Sequence, residues 1–427
     1  MDTSGLAGIH EIPAILSHPH ICGIGGIGMS GVALILRGLG CPISGSDLRH
    51  SEITDLLQNQ GANIHYPHDT DSIKNASCVI ASRIFPKNHP EILEAQKLNI
   101  PVISRTCALG IIQSFTHFRP VLCFGSVARA KLARLTAQAC QCGYCTGVAD
   151  AGGNTLHAAF GNQMMLDIDE RDYMAAPKDF MHLQGDIIIS DWQSPHFGYY
   201  SDDFNPQQFV QKLLDEFLPD DALLIAPKTR NSSTEIAFSA FKKHRQTQSF
   251  SFTLDPLTNS LSFPESWNQP PAHYEGTFVD ASALAAAEIW LKLNNIHTHP
   301  NDFACIGWFS RISQTHFHEI RMHPMHIRIA MQNLKLKSQN HPIHAAIRPF
   351  SSTLNAYPPE VWADTFKNVG KLIVITPPYE GCTPQDCDKF CKSMQSVCPC
   401  ECMTAQQAHQ TADPNDFWLW IGAPDIL

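Results

Sequence analysis

Residues 20–31 read His-Ile-Cys-Gly-Ile-Gly-Gly-Ile-Gly-Met-Ser-Gly, an apolar run that breaks into a glycine-dense turn and passes into the helix-like stretch Val32–Leu39. Few patterns restrict a fold as much, because a strand must deliver the chain into such a turn and a helix must leave it. Gly23, Gly25 and Gly28 fit G-x-G-x-x-G: the first permits a tight turn, the second lets backbone approach a diphosphate, and the third allows close packing of helix on strand. The helix N-terminus then offers unpaired N–H groups and a positive dipole end to an anion. An acidic residue is expected about 20 residues later, at the end of a second strand and against a ribose or base. Asp47, in Gly45-Ser46-Asp47, stands there.

The rest of the chain repeats this alternation. Strand-like runs at His20–Ile24, Pro42–Ser46, Ala62–His65, Cys78–Ala81 and Val102–Ser104 are separated by helical periods such as Ile53–Gln60 and Glu91–Leu98. That order implies a parallel sheet wrapped by helices. A new strand opens at Arg119–Gly125, followed by Gly185–Ser190, the amphipathic Pro206–Leu218 and Ala222–Ala226, again an α/β pattern. A helical stretch at Ala281–Leu293 precedes further strands at His344–Arg348 and Leu372–Thr376, while Asn259–Ala272, rich in Pro, Ser and Asn, reads as the approach to a linker. At 427 residues the chain exceeds one ordinary core. The expected division is 1–115, 116–273 and 274–427.

Composition excludes several function classes. A net charge of -10 without a basic stripe argues against a nucleic-acid binder. No apolar run approaches the roughly 18 residues of a membrane span, and Met1–Pro19 lacks the basic start of a signal peptide, so a cytoplasmic location is expected. The 15 cysteines are diluted over a long chain, which favours reduced thiols over disulfides. They include Cys140, Cys142 and Cys145, and a later group of Cys382, Cys387, Cys391, Cys398, Cys400 and Cys402. Neither cluster has paired C-x-x-C knuckles, so plain thiols are preferred to a zinc or iron–sulfur site.

The residues around the glycine turn carry a more specific signal. The run G-I-G-G-I-G-M-S-G, the S-G-S-D that includes Asp47, and Gln60-Gly-Ala-Asn-Ile64 before His68 occur in the order found in the Mur ligase family of peptidoglycan synthesis, which this chain closely resembles. Ala81-Ser82, Asn88-His-Pro-Glu-Ile92 and Ile100-Pro-Val-Ile-Ser-Arg105 continue the match. The resemblance implies three α/β domains: a Rossmann-like N-terminal domain, a central P-loop-type domain and a C-terminal Rossmann-like domain. It also implies that the first domain binds UDP-N-acetylmuramic acid or a related UDP-sugar rather than a nicotinamide cofactor. Residues matched to that site are Gly23, Gly25, Gly26, Gly28, Met29, Ser30, Asp47, His68, Ser82 and Arg105.

The same resemblance implies ATP and Mg²⁺ as cofactors, with a carboxylate activated as an acyl phosphate and then attacked by an amine. The family's phosphate loop G-T-H-G-K-T-T falls on Gly125-Ser126-Val127-Ala128-Arg129-Ala130-Lys131, where only the first glycine survives. Ala128 replaces a glycine that the nest needs for φ > 0, at a cost of roughly 1–2 kcal/mol. Arg129 keeps a positive charge where Lys belongs, but with a broad planar fork. Ala130 lacks the hydroxyl that would hold magnesium. The residues themselves favour a plain helix start, with Arg129, Lys131 and Arg134 on a solvated face.

Erosion continues downstream. Leu166-Asp-Ile-Asp-Glu-Arg-Asp172 stands for E-A-D-E-S-D, with Asp167 in the place of a magnesium-binding Glu, and Ser190-Asp-Trp-Gln-Ser-Pro195-His196 stands for T-N-I-x-x-D-H. Asp167 and His196 are therefore the candidate metal ligands. In the third domain G-x-H-N-x-x-N becomes Gly276–Ser282, R-R-F falls near Trp308–Arg311, D-D-Y-A-H-H-P keeps only His323-Pro324 with Glu319, and Q-P-H-R-Y-S-R becomes Arg348–Leu354. Arg129, His196 and His323 are the catalytic candidates left. The expectation is a Mur-ligase-like protein that binds a UDP-sugar with ligation impaired or lost. Two alternatives stand beside it: an active ATP-dependent ligase with compensated sites, and a non-catalytic scaffold or regulator of an intact Mur ligase.

Overall fold

The structure is a computed structural model that describes residues 11–82, 85–125, 128–145, 158–168, 179, 183–192, 205–228, 235–243, 245–255, 257–274, 276–296, 309–319, 324–339, 341–349, 354, 357–378 and 382–422. It divides into two compact units: Met1–Asn231 with Ala237–Ser251 and Ser282–Phe303, and Ser232–Ile236 with Phe252–Ala281 and Ala304–Leu427.

The first unit opens with β1 (Pro19–Cys22), α1 (Ile27–Gly38), β2 (Ser44–Ser46), α2 (Glu52–Asn59), β3 (Asn63–His65), β4 (Cys78–Ala81), α3 (Pro90–Lys97), β5 (Val102–Ser104) and α4 (Arg105–Thr116). The strands form a parallel sheet in the order β3-β2-β1-β4-β5. Its order reverses between β1 and β4, and the crevice outside the carboxyl ends of such strands is where open α/β sheets bind ligands. Each expected strand lies within two residues of its expected limits. All four residues of β1 and of β4 are buried, as a sheet covered on both faces requires. Local chemistry sets the helix limits. Ser51 caps α2 in a capping box with Thr54, Pro90 opens α3, and the Ser104 hydroxyl caps α4 at the Cys107 N–H.

A second sheet follows, from β6 (Arg119–Phe124), α5 (Ala128–Cys140), β7 (Gly143–Cys145), β8 (Ala158–Ala159), β9 (Gln163–Asp167), β10 (Asp186–Ile189) and β11 (Leu224–Pro227). Its order is β11-β10-β6-β9-β7-β8, parallel except for the β7–β8 pair. β12 (Glu235–Lys242) adds to β11 antiparallel. The helix Phe278–Leu293 is alanine-rich, and residues 281–291 are all buried, Glu288 included.

In the second unit the last residues of the long β13 (Arg245–Asp255), Thr253–Asp255, pair with β14 (Ser260–Ser262), which pairs with β15 (Ala272–His273). The segment expected to approach a linker is therefore folded. Trp267 is buried, stacked on Phe263 and edge-on to Phe252, and such aromatic burial outweighs the turn-rich composition around it. A third sheet has β16 (Phe309–Arg311), β17 (His316–Glu319), β18 (Ile343–Ile347), β19 (Leu372–Thr376), β20 (Cys400–Thr404) and β21 (Phe417–Ile421), in the order β16-β17-β21-β18-β19-β20. Only β16–β17 is antiparallel. Apolar clusters cover both faces of this sheet. The late cysteines Cys387, Cys391, Cys398 and Cys400 are part of that core, and the described cysteines of the chain are free thiols.

Candidate functional site

β1 delivers the chain into the glycine turn at the point where the first sheet changes direction. Gly23 has φ +65°, and a Cβ there would lie 2.8 Å from the Phe85 ring, so only glycine fits. The Gly26 N–H donates to Gly23 O at 2.9 Å and closes the turn, and Gly26 caps α1. Gly28 is in the first helical turn, where backbone N–H groups lack the i−4 carbonyl partner they would have deeper in the helix. Met29 and Ser30 are buried, and their N–H groups both donate to Gly26 O, which fixes the entry to the helix. Gly45, on β2, carries a constraint that sequence reasoning passed over: a Cβ there would meet Ile24 Cδ1 at 2.6 Å.

Two residues expected at the ligand site are bonded to the protein itself. Asp47 accepts the Gly25 N–H at 2.8 Å through Oδ2 and the Leu48 N–H at 2.8 Å through Oδ1, so it braces the glycine turn. Arg105, only 8% exposed, passes beside Gly28 and donates to Asp167 O at 3.0 Å and to Cys145 Sγ at 3.6 Å. Its guanidinium belongs to the seam between the first and second sheets, where the Ser104 hydroxyl also donates to Asp179. Ser82 follows β4 and accepts the Phe85 N–H at its carbonyl. His68 lies beyond β3 at 12% side-chain exposure, with Nδ1 2.8 Å from Ser46 Oγ.

Beneath the turn sits a buried polar cluster that the sequence did not announce. Glu91, fully buried, accepts the Cys22 thiol at 2.9 Å and the Ser46 hydroxyl at 2.8 Å through Oε2, and the Asp69 N–H at 3.0 Å through Oε1. His20 Nε2 is 3.7 Å and His68 Nδ1 3.6 Å from the same Oε2. Burial pushes the Glu91 carboxyl up, but the nearby His20 imidazole and the bonds from Cys22 and Ser46 outweigh it and hold the group at about 2. Burial, then the Glu91 charge, push the Cys22 thiol well above its ordinary value. The fixed register is the signal available in hindsight: Cys22 pairs with Ser46 and His20 with Ser44, so side chains two apart on β1 meet their counterparts on β2.

The second glycine turn follows β6. Gly125 has φ +125°, and a Cβ would lie 2.1 Å from Ser190 Oγ and 3.1 Å from Asp191 Oδ2. Its own sheet causes this contact, because β6 and β10 pair in parallel with Phe124 opposite Ile189, which sets Gly125 beside Ser190. Arg129 does not lie on a solvated face as expected. Nη1 donates to Gly125 O at 3.2 Å, and Nε is 3.6 Å from Asp167 Oδ1 at 13% side-chain exposure. Arg105 Nη1 approaches the same carboxylate oxygen at 3.9 Å. Arg134 is likewise engaged, 4.2 Å over the Tyr144 ring. The buried carboxylate of Asp167 recruits Arg129 because a charge out of water needs a partner.

A magnesium ion on Asp167 would meet two guanidinium groups around a single 5% exposed carboxylate, and such an ion demands several oxygen ligands in near-octahedral array. The described residues do not fit it. Ser126, His196 and His323 lie outside the described residues, as does the side chain of Lys131, which belongs to α5. In the second unit, Asp280 accepts both the N–H and the hydroxyl of Thr277, at 2.8 and 3.0 Å, so this segment of the eroded third-domain motif starts a helix.

Comparison with known proteins finds likeness by sequence over part of the chain and by fold over nearly all of it. Residues 18–116 match a sequence profile described as Mur ligase family, catalytic domain. The chain is similar to UDP-N-acetylmuramate–L-alanine ligase of Vesicomyosocius okutanii, at 32% identity over 211 residues. That alignment takes in 48% of this chain and 42% of the relative, so the chain spans less than half the length of this curated relative. Among solved structures it is similar to UDP-N-acetylmuramate-alanine ligase from Thermotoga maritima, with a TM-score of 0.60, 16% identity and 96% of each chain covered. A murein peptide ligase from Psychrobacter arcticus gives 0.51, 13% and 95% of each chain.

The fold is that of the three-domain Mur ligases. Within that class, the chain resembles UDP-N-acetylmuramate–L-alanine ligase.

Proposed function

We propose that this protein is a Mur-ligase relative of peptidoglycan precursor metabolism that binds UDP-N-acetylmuramic acid or a related UDP-sugar in its first domain, while ATP-dependent ligation is impaired or lost. The observation that carries the reading is the arrangement of Arg129, which folds back on Gly125 O and pairs with Asp167. A phosphate cradle needs its cation aimed at the nucleotide and its carboxylate open to magnesium. Here the cation and the carboxylate face each other. The first turn, by contrast, keeps the glycine at each motif position and a helix N-terminus behind them, and the sheet reversal gives it a crevice.

The UDP-sugar would lie over Gly23–Gly28 with its diphosphate toward the first turn of α1. Asp47 contributes by holding Gly25 in place rather than by touching the ribose. The protein works in the cytoplasm in this reading; no helix among the described residues is long and apolar enough to cross a membrane.

Titration calorimetry of the full chain tests the proposal. Heat of binding is expected with UDP-N-acetylmuramic acid and none with ATP and magnesium. Absence of UDP-sugar binding at millimolar ligand would overturn the first half. Phosphate release that depends on UDP-N-acetylmuramic acid and L-alanine would overturn the second and favour an active ligase with compensated sites.

A further inference from the structure

We propose that His20, Cys22 and Glu91 form a buried site for a single divalent cation of the zinc class, set directly beneath the glycine turn. The three side chains bring their ligand atoms within 4.8 Å of one another, and all three residues are buried. The proposal goes beyond the UDP-sugar reading and does not depend on it.

The first argument is His20. Its Nδ1 is 3.0 Å from Ser44 Oγ, which holds the ring and leaves Nε2 pointing into the cluster. Nε2 is fully buried with no hydrogen-bond partner, 3.7 Å from Glu91 Oε2. A buried imidazole nitrogen facing a carboxylate oxygen across that gap is too far for a hydrogen bond and costly to leave unsatisfied. Two ligands bound to one zinc ion at about 2.0–2.1 Å are separated by roughly this distance. The Ser44 contact is also the outer hydrogen bond that metal-bound imidazoles use to fix their orientation.

The second argument is charge. Glu91 is a buried carboxylate whose described partners, other than the two histidines, are neutral: the Cys22 thiol, the Ser46 hydroxyl and the Asp69 amide. Binding of M²⁺ would displace the thiol proton to solvent, giving Cys22–S⁻, Glu91–COO⁻ and M²⁺, a set without net charge. Cys22 would move outward by roughly half an ångström to reach a metal–sulfur distance of about 2.3 Å. Thiolate and imidazole select zinc-like ions over magnesium or calcium. His68, partly exposed and 3.6 Å from Oε2, marks the entry side.

The full chain, stripped with chelator and titrated with Co²⁺, provides the test. One equivalent of cobalt is expected, with thiolate-to-cobalt charge-transfer absorption, release of one thiol proton per ion in weak buffer, and displacement by Zn²⁺. Cys22→Ala is expected to abolish the absorption, and Cys78→Ala, in a buried thiol of the same sheet outside the cluster, to retain it. Glu91→Gln keeps an acceptor for the cluster and is expected to weaken cobalt binding at least tenfold with the fold intact by circular dichroism. Failure to bind cobalt, or absorption that survives Cys22→Ala, would overturn the site, as would unchanged affinity in folded Glu91→Gln. None of these outcomes bears on whether UDP-N-acetylmuramic acid binds.

Discussion

Two glycine turns in the first unit begin alike and end differently. Each leaves the carboxyl end of a central parallel strand with a glycine at positive φ, Gly23 at +65° and Gly125 at +125°, and each leads into a helix. Around the first, the nearby carboxylate, Asp47, bonds backbone and leaves the helix N-terminus as the positive end of the site. Around the second, the nearby carboxylate, Asp167, is bracketed by Arg105 and Arg129, and the arginine of the helix itself turns back on the loop. The lesson is that a phosphate loop depends less on its glycines than on which charges remain uncommitted around them.

Four measurements break or sharpen this contrast. The largest effect is expected from Glu91→Ala, which would leave the Cys22 thiol, the Ser46 hydroxyl and the Asp69 amide without their common acceptor beneath the first turn. A loss of about 3 kcal/mol or more in urea unfolding is expected. A loss below about 1 kcal/mol would show that the cluster does not support the turn. Next is Gly25→Ala, whose Cβ would lie 2.8 Å from Thr54 Cγ2 and 2.9 Å from Asp47 Oδ2. UDP-N-acetylmuramic acid should bind at least tenfold more weakly, about 1.4 kcal/mol, by calorimetry.

Arg129→Ala probes the other turn. Removing one of the two Asp167 partners at this buried site is expected to lower stability by about 1 kcal/mol while UDP-sugar affinity stays within about twofold, since Arg105 still faces the carboxylate. A large change in UDP-sugar affinity would mean that the two turns act as one site. The smallest effect belongs to Asp47→Asn, which keeps an oxygen to accept the Gly25 N–H. Binding should weaken no more than about threefold, the scale of half a hydrogen bond's net worth; a hundredfold loss would give Asp47 a direct role on the ligand.

The strands and helices around the first turn were legible because periodicity, caps and turn residues all agree there. β3, β4 and β5 fall at Asn63–His65, Cys78–Ala81 and Val102–Ser104, close to where the apolar runs place them. Arg129 misled for a definite reason: its position on α5 suggests a solvated face, and only the convergence of β6 and β9 brings Asp167 within reach. Asp47 lies at the expected distance from the glycines, yet spacing along a chain says nothing about which side of the turn a carboxylate approaches. Trp267 similarly shows a turn-rich segment folded by aromatic contacts made at a distance.

By itself, the sequence determined the alternation of strand and helix, the positions where only glycine can turn, and the identity of the residues at each end of the strands. These are local properties, set by the backbone freedom of glycine, by capping side chains and by hydrophobic period. Tertiary structure alone decided how charge was committed: Asp47 to the first turn, Arg129 and Arg105 to Asp167, and Glu91 to His20, Cys22 and Ser46. The physical reason is that a buried charge must find its partner in space. Glu91, in the first turn of α3, and Cys22, on β1, are 69 residues apart along the chain, and packing of that helix against the sheet brings them together.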